Sequence, residues 1–156
     1  ENISRLGFKV DLVCEDVFKF IPKKKYDYIL LDPPCTSTGT LSKNPDLMFL
    51  DPYKRLKNLL SIQEKLLQSS AKWISKGGLI IYSVCSLLRE EGEDQILRFL
   101  KINKTFKQVH PDVNGFNLSQ SNVDENGGIR VLPHTLSDQG WVDGFYIAYI
   151  KSQEEK

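Results

Sequence analysis

Two apolar runs, each ending abruptly at a polar cluster that contains a cysteine, constrain this chain most. Tyr26–Leu31 is nearly all apolar apart from Asp27, and it stops at Asp32-Pro33-Pro34-Cys35. Leu79–Val84 is similar and stops at Cys85-Ser86. Such runs read as strands buried on both faces. The stretch between them reads as a loop over 36–50 and then a long helix. Asp51 is a good N-cap and Pro52 suits the first helical position. Tyr53, Leu56, Leu60, Leu67 and Ile74 recur along one face, and Gly77-Gly78 is expected to stop the helix. Strand, helix and strand in this order predict neighbouring parallel strands, with ligands bound beyond their carboxyl ends. The two cysteine clusters are therefore expected to meet in space.

The rest of the chain fits an α/β reading with a parallel sheet covered on both faces. Residues 1–7 read as the end of a helix stopped by Gly7, and Lys9–Cys14 as a short strand closed by Glu15-Asp16. Glu90–Lys101 reads as a second helix, with acidic residues at its start and Lys101 at its end. Phe106–Val109, Ile129–Leu132 and Gly144–Ile150 read as strands. Residues 152–156 are expected to fray. A chain of 156 residues with 40% hydrophobic and 26% charged residues supports one domain with a real core. A formal charge of +1, from 21 basic and 20 acidic residues, makes no electrostatic case for nucleic acid by itself. No stretch reaches the roughly 18 apolar residues of a membrane span. Cys14, Cys35 and Cys85 lack metal-ligand spacing and fit reduced thiols of a cytoplasmic protein.

A lone buried cysteine usually means packing, and Cys14, inside the expected first strand, is read that way. The surroundings of Cys35 and Cys85 say more. Proline fixes φ and removes backbone donors, so Asp32-Pro33-Pro34-Cys35 is a stiff turn that either ends a strand or presents its carboxylate and thiol in fixed geometry.

The segment Asp32-Pro33-Pro34-Cys35-Thr36-Ser37-Thr38-Gly39 resembles the "DAPCSGTG" motif of the Sun/Fmu/nucleolar family of S-adenosylmethionine-dependent RNA cytosine-5 methyltransferases. Asn44-Pro45-Asp46 is similar to that family's "HPD" segment. Tyr82-Ser83-Val84-Cys85-Ser86 with Glu90-Glu91 resembles "YxTCSxxxEE". Arg130 to Pro133 and Asp143 to Ala148 resemble the closing "R-x-x-P … DGFF-x-A" signature. The matches run in family order over residues 1–151, which the resemblance makes the C-terminal part of a catalytic domain. Pro33 replaces the usual Ala, Ser83-Val84 the usual Ala-Thr, and Ser37-Thr38 varies the small-residue run.

The resemblance implies a Rossmann-like methyltransferase sheet that lacks its first two strands and the glycine loop for the cofactor. No Gly-x-Gly occurs in the chain. It implies Cys85 as nucleophile, Cys35 as the group assisting release, and Asp32 on the cytosine edge. Asp16, Asp32 and Pro33 are implied on the S-adenosylmethionine side, although Asp16 serves equally well as a helix cap. Lys43 and Arg130 are implied on the RNA side, with ribosomal RNA as the substrate. The missing strands would leave the Tyr26–Leu31 edge open, so a homodimer through that edge is expected. The alternatives are a non-catalytic remnant serving as an interaction module, and an amino-group methyltransferase. The second usually carries an aromatic residue where Cys35 stands.

Overall fold

The computed structural model describes residues 2–113 and 118–153. It contains α1 (Asn2–Arg5), β1 (Tyr26–Leu31), α2 (Pro52–Trp73), β2 (Ile74–Val84), α3 (Glu93–Ile102), β3 (Phe106–Val109), β4 (Ile129–Val131) and β5 (Phe145–Ser152). The sheet runs β1-β2-β5-β3, with β4 also paired to β5. Strands β1 and β2 are parallel neighbours, with Ile29 beside Ile80 and Leu31 beside Tyr82. The pairings of β5 with β2, β3 and β4 are all antiparallel, which corrects the expectation of a parallel sheet throughout. The reason lies at the start of β5. Gly144 N–H donates to Gly39 O at 2.7 Å, at the carboxyl end of β1 and β2, so β5 can only run away from that end.

Helix α2 begins as its sequence dictates: the Asp51 carboxylate accepts from Tyr53 N–H at 3.0 Å, and Pro52 occupies the first turn. Leu56, Leu59, Leu66 and Leu67 are buried on its inner face, whereas Tyr53 is exposed. The helix ends at Trp73, before the glycines, which instead form a bulge inside β2. Gly77 has φ +73°, and a Cβ at Gly78 would lie 2.9 Å from the Asp27 carbonyl oxygen. Only glycines let the chain turn this tightly between the helix end and the paired stretch of β2. The core gathers Leu67, Ile80, Tyr82, Val84, Ile96, Phe99, Tyr146, Ala148 and Ile150, with Ile29 and Leu31 packed against it.

Three further expectations are corrected. Strand β1 is an edge strand covered on one face: Tyr28 and Leu30 are 74% and 72% exposed. Among the described residues no strand pairs with its outer edge. Lys9–Cys14 is not a strand; Val10, Leu12 and Val13 are exposed, as is Cys14. An apolar run becomes a strand only when a neighbour takes its backbone hydrogen bonds, and among the described residues no strand pairs with this one. At the other end β5 continues through Ser152, and Gln153 N–H donates to Thr105 O at 2.7 Å, so the chain is anchored further than expected. The remainder of the expected frayed tail, 154–156, lies outside the described residues. No helix among the described residues is long and apolar enough to cross a membrane.

Candidate active site

The carboxyl ends of β1 and β2 lie side by side because the strands are parallel and in register there. That geometry delivers the two cysteine turns to one place. Cys35 Sγ lies 3.5 Å from Cys85 Sγ, an unbonded contact between two free thiols. Ser37 Oγ stands beside both, 3.6 Å from Cys85 Sγ and 3.9 Å from Cys35 Sγ. Ser37 carries φ 58°, in the left-handed region. The family pattern quoted above has glycine at this place, which explains why the turn demands that conformation. A serine here stores about 1–2 kcal/mol of backbone strain.

Beneath the thiols is a polar network. Glu91 is wholly buried. Its carboxylate accepts from Thr36 N–H at 3.1 and 3.2 Å, from Thr36 Oγ1 at 2.5 Å and from Gln63 Nε2 at 2.9 Å. Gln63 Nε2 also donates to Pro34 O at 3.0 Å. Ser86 Oγ sits 3.1 Å from Thr36 Oγ1 and 3.3 Å from Thr38 Oγ1, and Thr38 Oγ1 accepts from Leu87 N–H at 2.9 Å. Gly39 N–H donates to Cys85 O at 3.0 Å. Tyr82 O–H donates to Glu91 O at 2.7 Å; burial, with the nearby Glu91 charge, holds that phenol above its ordinary range. Burial also pushes the Cys35 thiol up to about 12, and the proximity of Cys85 and Glu91 adds to the shift. Cys35 is therefore a neutral S–H at pH 7.

The other implied residues are placed as follows. Asp32 is exposed at the end of β1, directly before the buried Pro33. Asp16 is exposed, and its Oδ1 accepts from Phe18 N–H at 3.0 Å, the capping arrangement its sequence equally allowed. Lys43 Nζ pairs with Asp143 Oδ2 at 2.7 Å. Arg130 turns inward: its Nη1 donates to Ser86 O at 2.8 Å, its Nη2 pairs with Glu93 Oε2 at 2.5 Å, and its guanidinium lies 4.9 Å from the Tyr146 ring centre. These contacts fasten the turn after Cys85 to α3 and β5. A cavity of about 330 Å³ adjoins the network, lined by Thr36, Thr38, Leu47, Met48, Arg55 and Leu59 among others.

Sequence reasoning missed Gln63 and the role of Glu91. Gln63 had a signal: it is a polar residue inside the apolar stripe Leu56, Leu59, Leu66 and Leu67, where burial demands hydrogen-bond partners. Glu91 was assigned to the second helix, yet it sits in the turn before α3, which starts at Glu93.

Comparison with known proteins gives this geometry a family. A family profile described as 16S rRNA methyltransferase RsmB/F matches residues 1–151. The ribosomal RNA small subunit methyltransferase B of Shewanella oneidensis is 30% identical over 151 residues, covering 95% of this chain and 33% of that protein. Among solved structures, PH0851 superposes with TM-score 0.82 at 31% identity, covering 96% of this chain and 33% of that one. NSun6 from Pyrococcus horikoshii, solved with SFG, gives TM-score 0.76 at 28% identity, covering 99% and 38%. The chain spans about a third of the length of the curated relatives it matches. On its sequence and its fold, this chain belongs to the 16S rRNA methyltransferase RsmB/F family.

Proposed function

We propose that this chain carries the thiol chemistry of an enzyme that methylates carbon 5 of a cytosine in ribosomal RNA, with S-adenosylmethionine as methyl donor. The observation that carries this reading is the 3.5 Å approach of Cys35 and Cys85 at the ends of parallel strands. Carbon 5 of cytosine is a poor nucleophile in the neutral ring. Cys85, as thiolate, adds to carbon 6, and the electron pair released toward carbon 5 makes that carbon nucleophilic. Asp32, exposed at the strand end, accepts from the protonated ring nitrogen and stabilises the charge of the adduct. The cofactor, when bound, supplies an electrophilic methyl group. After transfer, carbon 5 gives its proton to a solvent base, the pair of that C–H bond reforms the double bond to carbon 6, and the bond from carbon 6 to Cys85 breaks with its pair returning to sulfur. The neutral S–H of Cys35 then donates a hydrogen bond to the departing sulfur, a role its raised pKa suits.

The residues present fit the cofactor in part. The family resemblance assigns Asp16, Asp32 and Pro33 to its nucleoside end, and the two exposed carboxylates can supply acceptors for hydroxyl and amino groups. The one left-handed glycine before β1, Gly7, has nothing within 4 Å of its Cβ position, so it forms no cradle among the described residues. On the RNA side, Lys43 is exposed beside Asp143 and can meet a phosphate. Arg130 acts by holding Ser86. The target base must leave its stack to reach Cys85.

Two assays test the reading. RNA containing 5-fluorocytosine, incubated with the protein and S-adenosylmethionine, should leave a covalent adduct that Cys85→Ala abolishes. Exchange of the carbon-5 proton with deuterated solvent reports thiol addition alone, without the cofactor. A parent chain that shows neither would leave the non-catalytic interaction module as the better account.

A further inference from the structure

We propose that the buried carboxylate of Glu91 is the positioning residue of the thiol pair: steadied by Gln63, it fastens Thr36 against the Cys85–Ser86 turn and so sets the spacing of Cys35 and Cys85. The inference rests on the reading of these cysteines as the reacting pair. Cys35 is bracketed on both sides. The residue before it, Pro34, is held through its carbonyl by Gln63 Nε2 at 3.0 Å. The residue after it, Thr36, is held through its N–H and its hydroxyl by Glu91. Both grips converge on one point, because the same Gln63 nitrogen donates to Glu91 Oε1 at 2.9 Å.

Three features show that the carboxylate is built in rather than merely tolerated. Glu91 is 0% exposed, and a buried carboxylate is costly unless its oxygens are satisfied. Among the described residues no lysine or arginine forms an ion pair with it. Its oxygens are therefore held by neutral groups, and Thr36 contributes both its main-chain N–H and its side-chain hydroxyl. The third feature is the orientation of Gln63. Its Nε2 faces two acceptors while its buried Oε1 has no partner. A buried amide oxygen without a partner is costly. That loss is sustained because turning the amide over would set an oxygen against both the Pro34 carbonyl and the carboxylate.

The arrangement ties the two halves of the site together. Glu91 follows Cys85 in the same connection, and its own carbonyl is held by Tyr82 O–H, from near the carboxyl end of β2, at 2.7 Å. The spacing of the thiols is thus referred to a buried side chain of the sheet rather than to the two turns alone. The same negative charge disfavours ionisation of Cys35, which keeps that group a hydrogen-bond donor.

Diamide reads the spacing without any need for catalysis. It takes the two thiol hydrogens onto its N=N bond, becoming the hydrazine, and leaves a Cys35–Cys85 disulfide. In a Cys14→Ser background, Glu91→Gln should slow this coupling at least about tenfold. It should also lower the pH at which iodoacetamide alkylates Cys35. Thr36→Ser, which keeps the hydroxyl, should couple near the parent rate, and Thr36→Val more slowly. Coupling at the parent rate with an unchanged pH profile in Glu91→Gln would overturn the proposal. Should that variant lose its cooperative melt, equal coupling in both Thr36 variants overturns it instead. A parent without carbon-5 exchange, alongside slowed coupling in Glu91→Gln, would sink the methylation reading and leave the spacing role standing.

Discussion

Replacing Gly39 with alanine tests how the site is braced. A Cβ at Gly39 would lie 2.1 Å from the Gly144 carbonyl oxygen and 2.6 Å from its carbon. Both are main-chain atoms of the segment entering β5, so no side chain can swing aside. The clash costs about 2 kcal/mol by the usual scale of overpacking. Moving apart also breaks two backbone hydrogen bonds, Gly39 N–H to Cys85 O at 3.0 Å and Gly144 N–H to Gly39 O at 2.7 Å. Each is worth about 1 kcal/mol net. The expected loss is about 4 kcal/mol, or a fall in Tm of about 12 °C for a chain of this size. Gly140→Ala is the control. It has φ +102° and nothing within 4 Å, so it should lose only about 1 kcal/mol, from backbone strain alone. Urea titration followed by tryptophan fluorescence gives both values. Equal losses in the two variants would refute the claim that backbone contact at Gly39 braces the site.

Four other outcomes are expected. Ser37→Gly should stabilise the fold by about 1 kcal/mol in the same titration, by removing left-handed strain, while altering thiol reactivity because Ser37 Oγ lies near both sulfurs; a destabilised variant would contradict the strain. Arg130→Met should cost about 2 kcal/mol, since it strands Glu93, whose side chain is 15% exposed, and frees Ser86 O; a midpoint unchanged within error would show that the pair contributes nothing. Stability should fall as pH rises above about 9, because the unfolded Cys35 thiol ionises there while the folded one holds its proton to about 12; the drop between pH 9 and 10 should shrink in Cys35→Ala, and an identical slope would refute it. The open edge of β1, with Tyr28 and Leu30 exposed, should pair with a second copy, so light scattering should show mass rising with concentration toward twice 17.9 kDa; a constant 17.9 kDa would exclude this.

What could be read in the sequence was what depends on neighbours along the chain. Asp51 and Pro52 started α2 as their chemistry requires, and the Gly7 stop is visible in its φ of +71°. The parallel approach of β1 and β2 followed from a helix joining two apolar runs. Misreadings arose where distant chain decides the outcome. Gly77-Gly78 has the composition of a helix stop, yet it serves a bulge whose shape is set by Asp27 across the sheet. Tyr26–Leu31 has the composition of a doubly buried strand, and its second face meets no element among the described residues. Lys9–Cys14 has strand composition but no partner strand among the described residues. Within the site, the cysteines were legible from their place after strands. The network under them was not, because Gln63, Thr36 and Glu91 come together only once α2 has folded back over the sheet.

The placement of β5 has a consequence for how the protein comes into being. This strand follows the other four along the chain, yet it lies inside the sheet between β2 and β3. Its leading residue, Gly144, closes on Gly39. A nascent chain still holding residues 145–152 in the ribosome has β1, β2 and the Glu91 network available but lacks the strand that seats Gly144 on Gly39. The thiol pair therefore gains its last brace only once β5 has been made, and a chain without residues 145–152 should hold the two turns less firmly.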